Sequence, residues 1–145
     1  MQRGGCAEAI PRYIDMLAIC AERHRDRPAL LLADRDVSYG ELWSMAMAES
    51  EWLATSGLPP GQRVLLEGGS VLDTCVTMVA LWLCRYCPVP ASSWWPRERL
   101  REVAERAGVW LDESGPADSV SDADNLACLI FSESGTARAE GLAVT

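Results

Sequence analysis

Lysine is absent from this 145-residue chain, and all 13 of its basic residues are arginine. The chain therefore has no side-chain amine that could form a Schiff base and no side-chain ammonium group that could bind a phosphate. Its 21 acidic residues bring the net charge to −8, and a surface of that sign repels the phosphates of nucleic acid and of anionic lipid. We therefore expect neither a nucleic-acid partner nor a membrane partner.

Long hydrophobic runs are lacking as well. The longest apolar stretch, residues 71–84, is interrupted by Asp73 and is shorter than the roughly 18 residues that a membrane span needs. No sustained apolar core precedes Pro11, so no secretory signal is visible. We expect a cytoplasmic protein, in which the six cysteines are reduced and packed in the core rather than joined in disulfides.

Helix and strand patterns alternate along the chain, and 49% hydrophobic residues are enough for the core of one domain. The expected helices begin at residue 11 and end near 24–28, run from 39 to 57, follow Ser70 and end at the CxxC motif 84–87, and run from 96 to 107. The expected strands are residues 29–33 and 37–38, which form a hairpin, and 63–67, 87–90, 109–111 and 126–131. This order predicts an α/β fold, a partial layered domain with parallel βαβ units.

Two of the helix starts are marked by capping-box spacing, Ser38 with Glu41 and Ser70 with Asp73. The helix after Ser70 is apolar around most of its circumference, which predicts that other elements cover it on more than one side. Residues 1–145 as a whole are expected to form a single partial domain. It has a flexible N-terminus at 1–9 and an acidic surface loop at 113–125.

The segment after the last expected strand, residues 132–141, mixes hydroxyl side chains with glycines. Such a loop offers hydroxyls and backbone N–H groups to a phosphate. Ligands of open parallel sheets sit beyond the carboxyl ends of the strands, so this segment is the first candidate for a binding site. A surface turn rich in Ser, Gly and Thr is the alternative interpretation.

The order of short motifs from Pro28 onward resembles the N-terminal portion of the AMP-forming adenylating enzymes. That superfamily includes acyl-CoA synthetases, luciferases and the adenylation domains of nonribosomal peptide synthetases. The family patterns that the chain resembles are "PAL…TYxEL", "GDRV", "YVPLDP", "PxERL" and "DDLAYIIY". The matching segments are Pro28-Ala29-Leu30 with Ser38-Tyr39-Gly40-Glu41-Leu42, Gly61-Gln62-Arg63-Val64, Cys87-Pro88-Val89-Pro90, Pro96-Arg97-Glu98-Arg99-Leu100, and residues 124–131.

The resemblance implies that residues 132–141 are a degenerate form of the family's phosphate-binding loop, "TSGTTGKPKG". The expected cofactor-binding residues are Ser134, Gly135 and Thr136, which match "SGT", Arg138 at the first basic position, and Gly141 as the closing glycine. Glu140 falls where the second lysine is expected, and a carboxylate at that position repels a triphosphate.

The family's later motifs, for adenine, ribose, magnesium and the lid lysine, have no counterpart before Thr145. The resemblance therefore implies a truncated AMP-dependent ligase-like fragment with no catalytic residue and no metal ligand of its own. ATP and Mg²⁺ are expected only when the missing portion completes the enzyme, and none for the isolated chain. The expected partners are that remainder of an adenylating enzyme, a carrier protein, or a second copy by self-association. The alternative function is a noncatalytic docking or scaffold module.

Two smaller motifs have structural and functional interpretations. The CxxC motif Cys84-Arg85-Tyr86-Cys87 comes where a helix is expected to end. The helix dipole raises the pKa of a thiol at that end, whereas a redox cysteine needs a lowered one. Core packing is therefore favoured over a redox site or a zinc site. Trp94-Trp95 is either a contact for a partner or a pair packed over the following helix.

Overall fold

A computed structural model describes residues 13–59, 61–67, 69–92, 94–107, 128–131 and 141–144. In chain order the elements are α1 (Tyr13–Arg23), β1 (Pro28–Leu31), β2 (Asp36–Ser38), α2 (Tyr39–Ala54), β3 (Arg63–Glu67), α3 (Val71–Leu83), β4 (Cys87–Ala91), α4 (Arg97–Ala107), β5 (Cys128–Phe131) and β6 (Gly141–Val144).

A parallel βαβ unit forms the centre of the fold. Strands β3 and β4 pair in parallel, from Arg63 opposite Cys87 to Glu67 opposite Ala91, and α3 is the crossover between them. Strand β5 lies beside β4 and pairs with β6 in antiparallel register. β1 and β2 form an antiparallel hairpin. The predicted α/β fold and its parallel βαβ unit are therefore confirmed.

Helix α3 is covered on two sides, as its apolar circumference predicts. On one side Val79 and Ala80 pack against Ile14 of α1 and Ala46 of α2. On another side Val76 joins a cluster made with the β1–β2 hairpin and α2. A third cluster packs α4 on β4, and its members are Cys87, Val89, Val103, Ala104 and Ala107.

The expected capping box at the start of α2 is present in full. The N–H of Glu41 donates to Ser38 Oγ at 3.2 Å, and the N–H of Ser38 donates to Glu41 Oε2 at 2.9 Å. The backbone N–H of Ser38 holds the pKa of the Glu41 carboxyl below its usual value, with further help from the Ser38 hydroxyl and from Arg35. Glu41 is therefore kept ionised at the positive end of the helix.

The next N–H groups of α2 are satisfied by the chain that precedes β1. The N–H of Tyr39 donates to the carbonyl of Arg27 and the N–H of Gly40 to the carbonyl of Arg25, both at 3.0 Å. This approach is close enough that a Cβ on Gly40 would lie 2.5 Å from Arg25 Cγ and 3.2 Å from its carbonyl oxygen. The glycine of the Ser38–Leu42 motif therefore makes room for a backbone contact.

The second expected capping box, at α3, is only half formed. The N–H of Asp73 donates to Ser70 Oγ at 3.1 Å, but the Ser70 hydroxyl in turn donates to Asp73 Oδ2 at 2.7 Å. An aspartate is one methylene shorter than the glutamate of a full box. Its carboxylate therefore meets the serine hydroxyl rather than the serine N–H.

Other differences from the sequence-based expectations are small. Helix α2 ends at Ala54 with Thr55 as its C-cap, a turn before Gly57. Strand β6 was not predicted, and Gly141, expected as the last residue of the phosphate loop, is instead its first residue. A four-residue strand that pairs across a long connection leaves no local signal. The expected segments 1–9, 109–111 and 113–125 lie outside the described residues.

No helix in the described part of the chain has both the length and the apolar character to cross a membrane. The longest of them, α2, has 16 residues.

Replacing Gly40 with alanine is expected to destabilise the fold by about 1–3 kcal/mol. This loss comes from the contact with Arg25, and it opposes the gain of up to about 1 kcal/mol that alanine normally brings to a helix. Urea denaturation measures the difference. Gly69→Ala is the matched control, because its Cβ would make only an ordinary contact of 3.5 Å with Asp73. Equal effects of the two substitutions would contradict this packing.

Replacing Glu41 with glutamine is expected to remove part of the pH dependence of stability. The folded pKa of Glu41 is lowered, so its charge stabilises the fold above the pKa of the unfolded chain and stops doing so as pH falls through the folded pKa. Wild type should therefore lose more stability than Glu41→Gln when urea denaturation is compared at about pH 7 and about pH 3. The control is Glu105→Gln on the exposed face of α4, and identical pH profiles for wild type and Glu41→Gln would refute the assignment.

Candidate functional site

The expected phosphate-binding segment connects the paired ends of β5 and β6. Phe131, the last residue of β5, lies opposite Gly141 in the antiparallel register. Ser134, Gly135, Thr136 and Arg138 lie outside the described residues, so of the five expected site residues the structure places only Gly141. The residues that flank the segment, Phe131 and Gly141, are held together by strand pairing.

The strand that leads into this segment is adjacent to the parallel pair. β5 lies beside β4, and β4 is the parallel partner of β3. Residues 132–140 therefore follow a strand that lies beside the βαβ unit and that is hydrogen-bonded to β6 in a two-stranded sheet of its own. Hydroxyl and backbone N–H groups on such a connection can donate hydrogen bonds to a bound anion.

Metal ligation has no basis among the residues that the structure describes. No group of three or more His, Cys, Asp or Glu side chains is arranged there to hold a metal ion.

The CxxC motif spans the end of α3 and the start of β4. Cys84 is the C-cap of α3, and Arg85 has a φ of 62°. The Cys84 thiol donates to the carbonyl of Ser50 at 3.4 Å, and burial raises its pKa. Cys87 belongs to the core cluster between β4 and α4. Burial and a raised thiol pKa are the opposite of what a redox cysteine needs, so the motif serves packing.

The two adjacent tryptophans have different environments. Trp95 packs against the β4–α4 cluster, and the guanidinium carbon of Arg99 lies 5.7 Å from the centroid of its ring, a cation–π distance. Trp94 has 74% of its surface exposed. The packing interpretation therefore holds for Trp95, and the partner contact stays a prediction for Trp94.

A recess of about 490 Å³ that the sequence did not reveal lies beside the start of α2. Its lining residues are Arg25, Asp26, Ser38, Gly40, Glu41, Ser44 and Met45. Several polar groups in it are already used, since Ser38 and Glu41 form the capping box and Gly40 N–H is bonded to Arg25. The first turn of α2 therefore offers no free N–H for a phosphate.

Arg63 of the "GQRV" segment has a structural role that sequence reasoning missed. Its Nη1 donates to the carbonyl of Ala107, at the last residue of α4, over 2.7 Å. A cation at the C-terminus of a helix is favoured by the helix dipole. This bond ties β3 to α4 and thus holds α4 over the parallel pair.

Curated relatives of the chain are peptide synthetases. It is 31% identical over 84 residues to N-(5-amino-5-carboxypentanoyl)-L-cysteinyl-D-valine synthase of Penicillium rubens, a match that covers 58% of this chain and 2% of the synthase. It is also 31% identical over 98 residues to delta-poly-L-ornithine synthetase of Acinetobacter baumannii, covering 66% of this chain and 7% of that protein. The chain thus spans only a small part of these relatives.

Solved structures with the same fold include the N-terminal subdomain of NpsA from Klebsiella oxytoca. The TM-score is 0.75 at 19% identity, and the match covers 94% of this chain and 41% of the NpsA chain. VinN in complex with 3-methylaspartate gives a TM-score of 0.74 at 18% identity, covering 92% of this chain and 47% of VinN. At these identities the likeness shows the fold, and the match covers less than half of each of these neighbours.

The family model of the AMP-binding enzymes matches residues 17–111. This range runs from α1 to beyond the end of α4 and contains the βαβ unit and four of the motif segments. It stops before β5 and the 132–141 segment. Because the match covers more than half of the chain, this protein belongs to the AMP-binding enzyme family.

Proposed function

We propose that this chain forms the N-terminal part of an enzyme that activates a carboxylic acid with ATP. In that reaction the carboxylate attacks the α-phosphate, an acyl-adenylate forms and pyrophosphate leaves. The thiol of a carrier protein or of CoA then takes the acyl group, and AMP is released. The observation that supports this most strongly is the family match combined with the strand order, in which β5 lies beside the βαβ unit and is followed at once by the hydroxyl- and glycine-containing segment.

In this proposal the 132–140 segment binds the phosphates of ATP. The hydroxyls of Ser134 and Thr136 and the backbone N–H of Gly135 donate hydrogen bonds to phosphate oxygens. Arg138 adds a charge-assisted contact, which an arginine makes in bidentate form. Gly141 begins the strand that closes the connection.

The proposal assigns the chain a binding role and leaves catalysis to residues beyond it. Negative charge develops in the transition state of acyl-adenylate formation, and a positioned cation stabilises it. The chain has no lysine to supply that cation. The ATP and Mg²⁺ of the complete enzyme are proposed to be held jointly with the remainder of that enzyme. The NpsA N-terminal subdomain has been solved in complex with 3-hydroxyanthranilyl-AMSN, which supports a ligand-binding role for this part of the fold.

A second candidate function is a noncatalytic docking or scaffold module. It is favoured by Glu140, which stands where the family has a lysine, and by the net charge of −8. Both repel ATP. The two functions differ in one measurable respect, because only the first requires that residues 132–140 contact phosphate.

Replacing Glu140 with lysine is therefore expected to tighten the binding of MgATP at least about fivefold. The substitution exchanges a repulsion of on the order of 1 kcal/mol for an attraction of similar size. Isothermal titration of the chain joined to the remainder of the enzyme measures the affinity, because ATP is expected to bind only when that remainder is present. Arg138→Ala is expected to change it in the opposite direction.

The matched control is Glu105→Lys, which makes the same change in net charge on the exposed face of α4. It should alter the affinity by less than about twofold. Equal tightening by both lysine variants would show that only net charge matters. No tightening by Glu140→Lys would remove the phosphate role and favour the noncatalytic module.

A further inference from the structure

Helix α2 is apolar on two faces, and the described part of the structure covers only one of them. Leu42 and Ala46 are buried in the core. Met45, Ala48 and Trp52 follow one another at spacings of three and four residues, which places them on one face. All three are exposed, Met45 by 40% and Trp52 by 71%. We call these three residues the outer stripe of α2, which is about 10 Å long.

The charges of α2 are all of one sign. Its sequence contains Glu41, Glu49 and Glu51 and no basic residue. Glu49 is engaged with the core side, where it accepts a hydrogen bond from Thr77 Oγ1 at 2.7 Å. Glu51 is exposed next to Trp52, and Glu41, one turn before Met45, is held ionised by the capping box. Arginines lie at the Met45 end of the stripe, where Arg35 pairs with Glu41 at 3.4 Å and Arg25 lines the recess beside Met45. At the Trp52 end the charge that α2 places beside the stripe is the carboxylate of Glu51.

The exposed apolar side chains of α1 and the exposed Trp94 lie near basic residues of their own segments. On α1, Met16 and Ile19 are exposed, but the helix carries Arg23 as well as acidic residues. Trp94 is exposed just before Arg97 of α4. An apolar surface bordered by charge of a single sign is selective for a partner of the opposite sign.

We propose that the outer stripe of α2 docks a basic amphipathic helix of a partner protein. Apolar side chains of that helix, spaced by three and four residues, pack on Met45, Ala48 and Trp52. Its lysines or arginines pair with Glu51 and lie over the exposed indole of Trp52 in a cation–π contact. The recess of about 490 Å³ that Met45 borders receives a side chain at the N-terminal end of the stripe.

A second copy of this chain is a poorer occupant of the same face. An isologous contact brings identical surfaces together, so the carboxylates beside one outer stripe would face those beside the other. Each copy also carries a net charge of −8, which adds to the repulsion. The proposal is independent of the adenylation function, because it uses no residue of the 132–141 segment.

The test uses two synthetic helical peptides, each about 18 residues long. They share leucines at spacings of three and four and differ in their remaining positions, which are lysine in one peptide and glutamate in the other. Fluorescence anisotropy of the labelled peptide reports binding to the 145-residue chain. The lysine peptide is expected to bind at roughly 100 µM chain or below, and the glutamate peptide is not.

Single substitutions then locate the contact. Trp52→Ala is expected to weaken binding of the lysine peptide about tenfold, whereas Trp94→Ala, which removes another exposed tryptophan, changes it less than about twofold. Glu51→Gln should weaken binding about threefold, and Glu105→Gln, with the same loss of charge on α4, should not. Circular dichroism verifies that each variant keeps its helix content.

Three results would overturn the proposal. Equal losses in Trp52→Ala and Trp94→Ala, or in Glu51→Gln and Glu105→Gln, would mean that the peptide responds to net charge without a defined site. Absence of binding, or equal binding of the glutamate peptide, would remove the charge complementarity. A dimer in sedimentation velocity that Trp52→Ala dissociates would make a second copy the occupant.

Discussion

The burial of α3 is the constraint on which the rest of the structure depends. This helix is the crossover of the βαβ unit, and its two packed sides join α1, α2 and the β1–β2 hairpin to the parallel strands. Because the crossover brings β4 beside β3, it also fixes where β5 lies. The candidate segment therefore begins after a strand that lies beside the parallel pair.

Much of this architecture could be predicted from local sequence. Residues 63–67 were predicted as a strand and form β3 with those bounds, and the Ser38–Glu41 spacing gave both the start and the bonding of α2. These features depend on residues a few positions apart, where hydrophobic period and capping chemistry are readable. The fit of the Ser38–Leu42 motif to the family pattern now has a physical reason, since the serine and glutamate cap the helix and the glycine admits the backbone of Arg25.

Features that depend on distant partners could not be predicted. Arg63 reaches the end of α4, 44 positions later, and the conflict that a Cβ on Gly40 would meet comes from Arg25 on another element. β6 is a strand because it pairs with β5, and its own four residues carry no sequence pattern that predicts a strand. The candidate site residues were identified from a family resemblance. The structure adds only that Phe131 and Gly141, which flank the segment, are paired. The outer stripe of α2 was missed because the sequence alone does not tell which apolar face of this helix packs against the core.

The protein combines a family scaffold with the 132–141 segment, which we propose binds phosphate and which has Arg138 and Glu140 where the resembled family has lysines. The central claim is that these residues supply binding without catalysis. ATP–pyrophosphate exchange by the 145-residue chain, assayed with a panel of amino and aryl carboxylic acids, tests it most directly. The account predicts no exchange above a protein-free blank, for wild type and for Glu140→Lys alike. Exchange supported by any acid with this chain alone would contradict it.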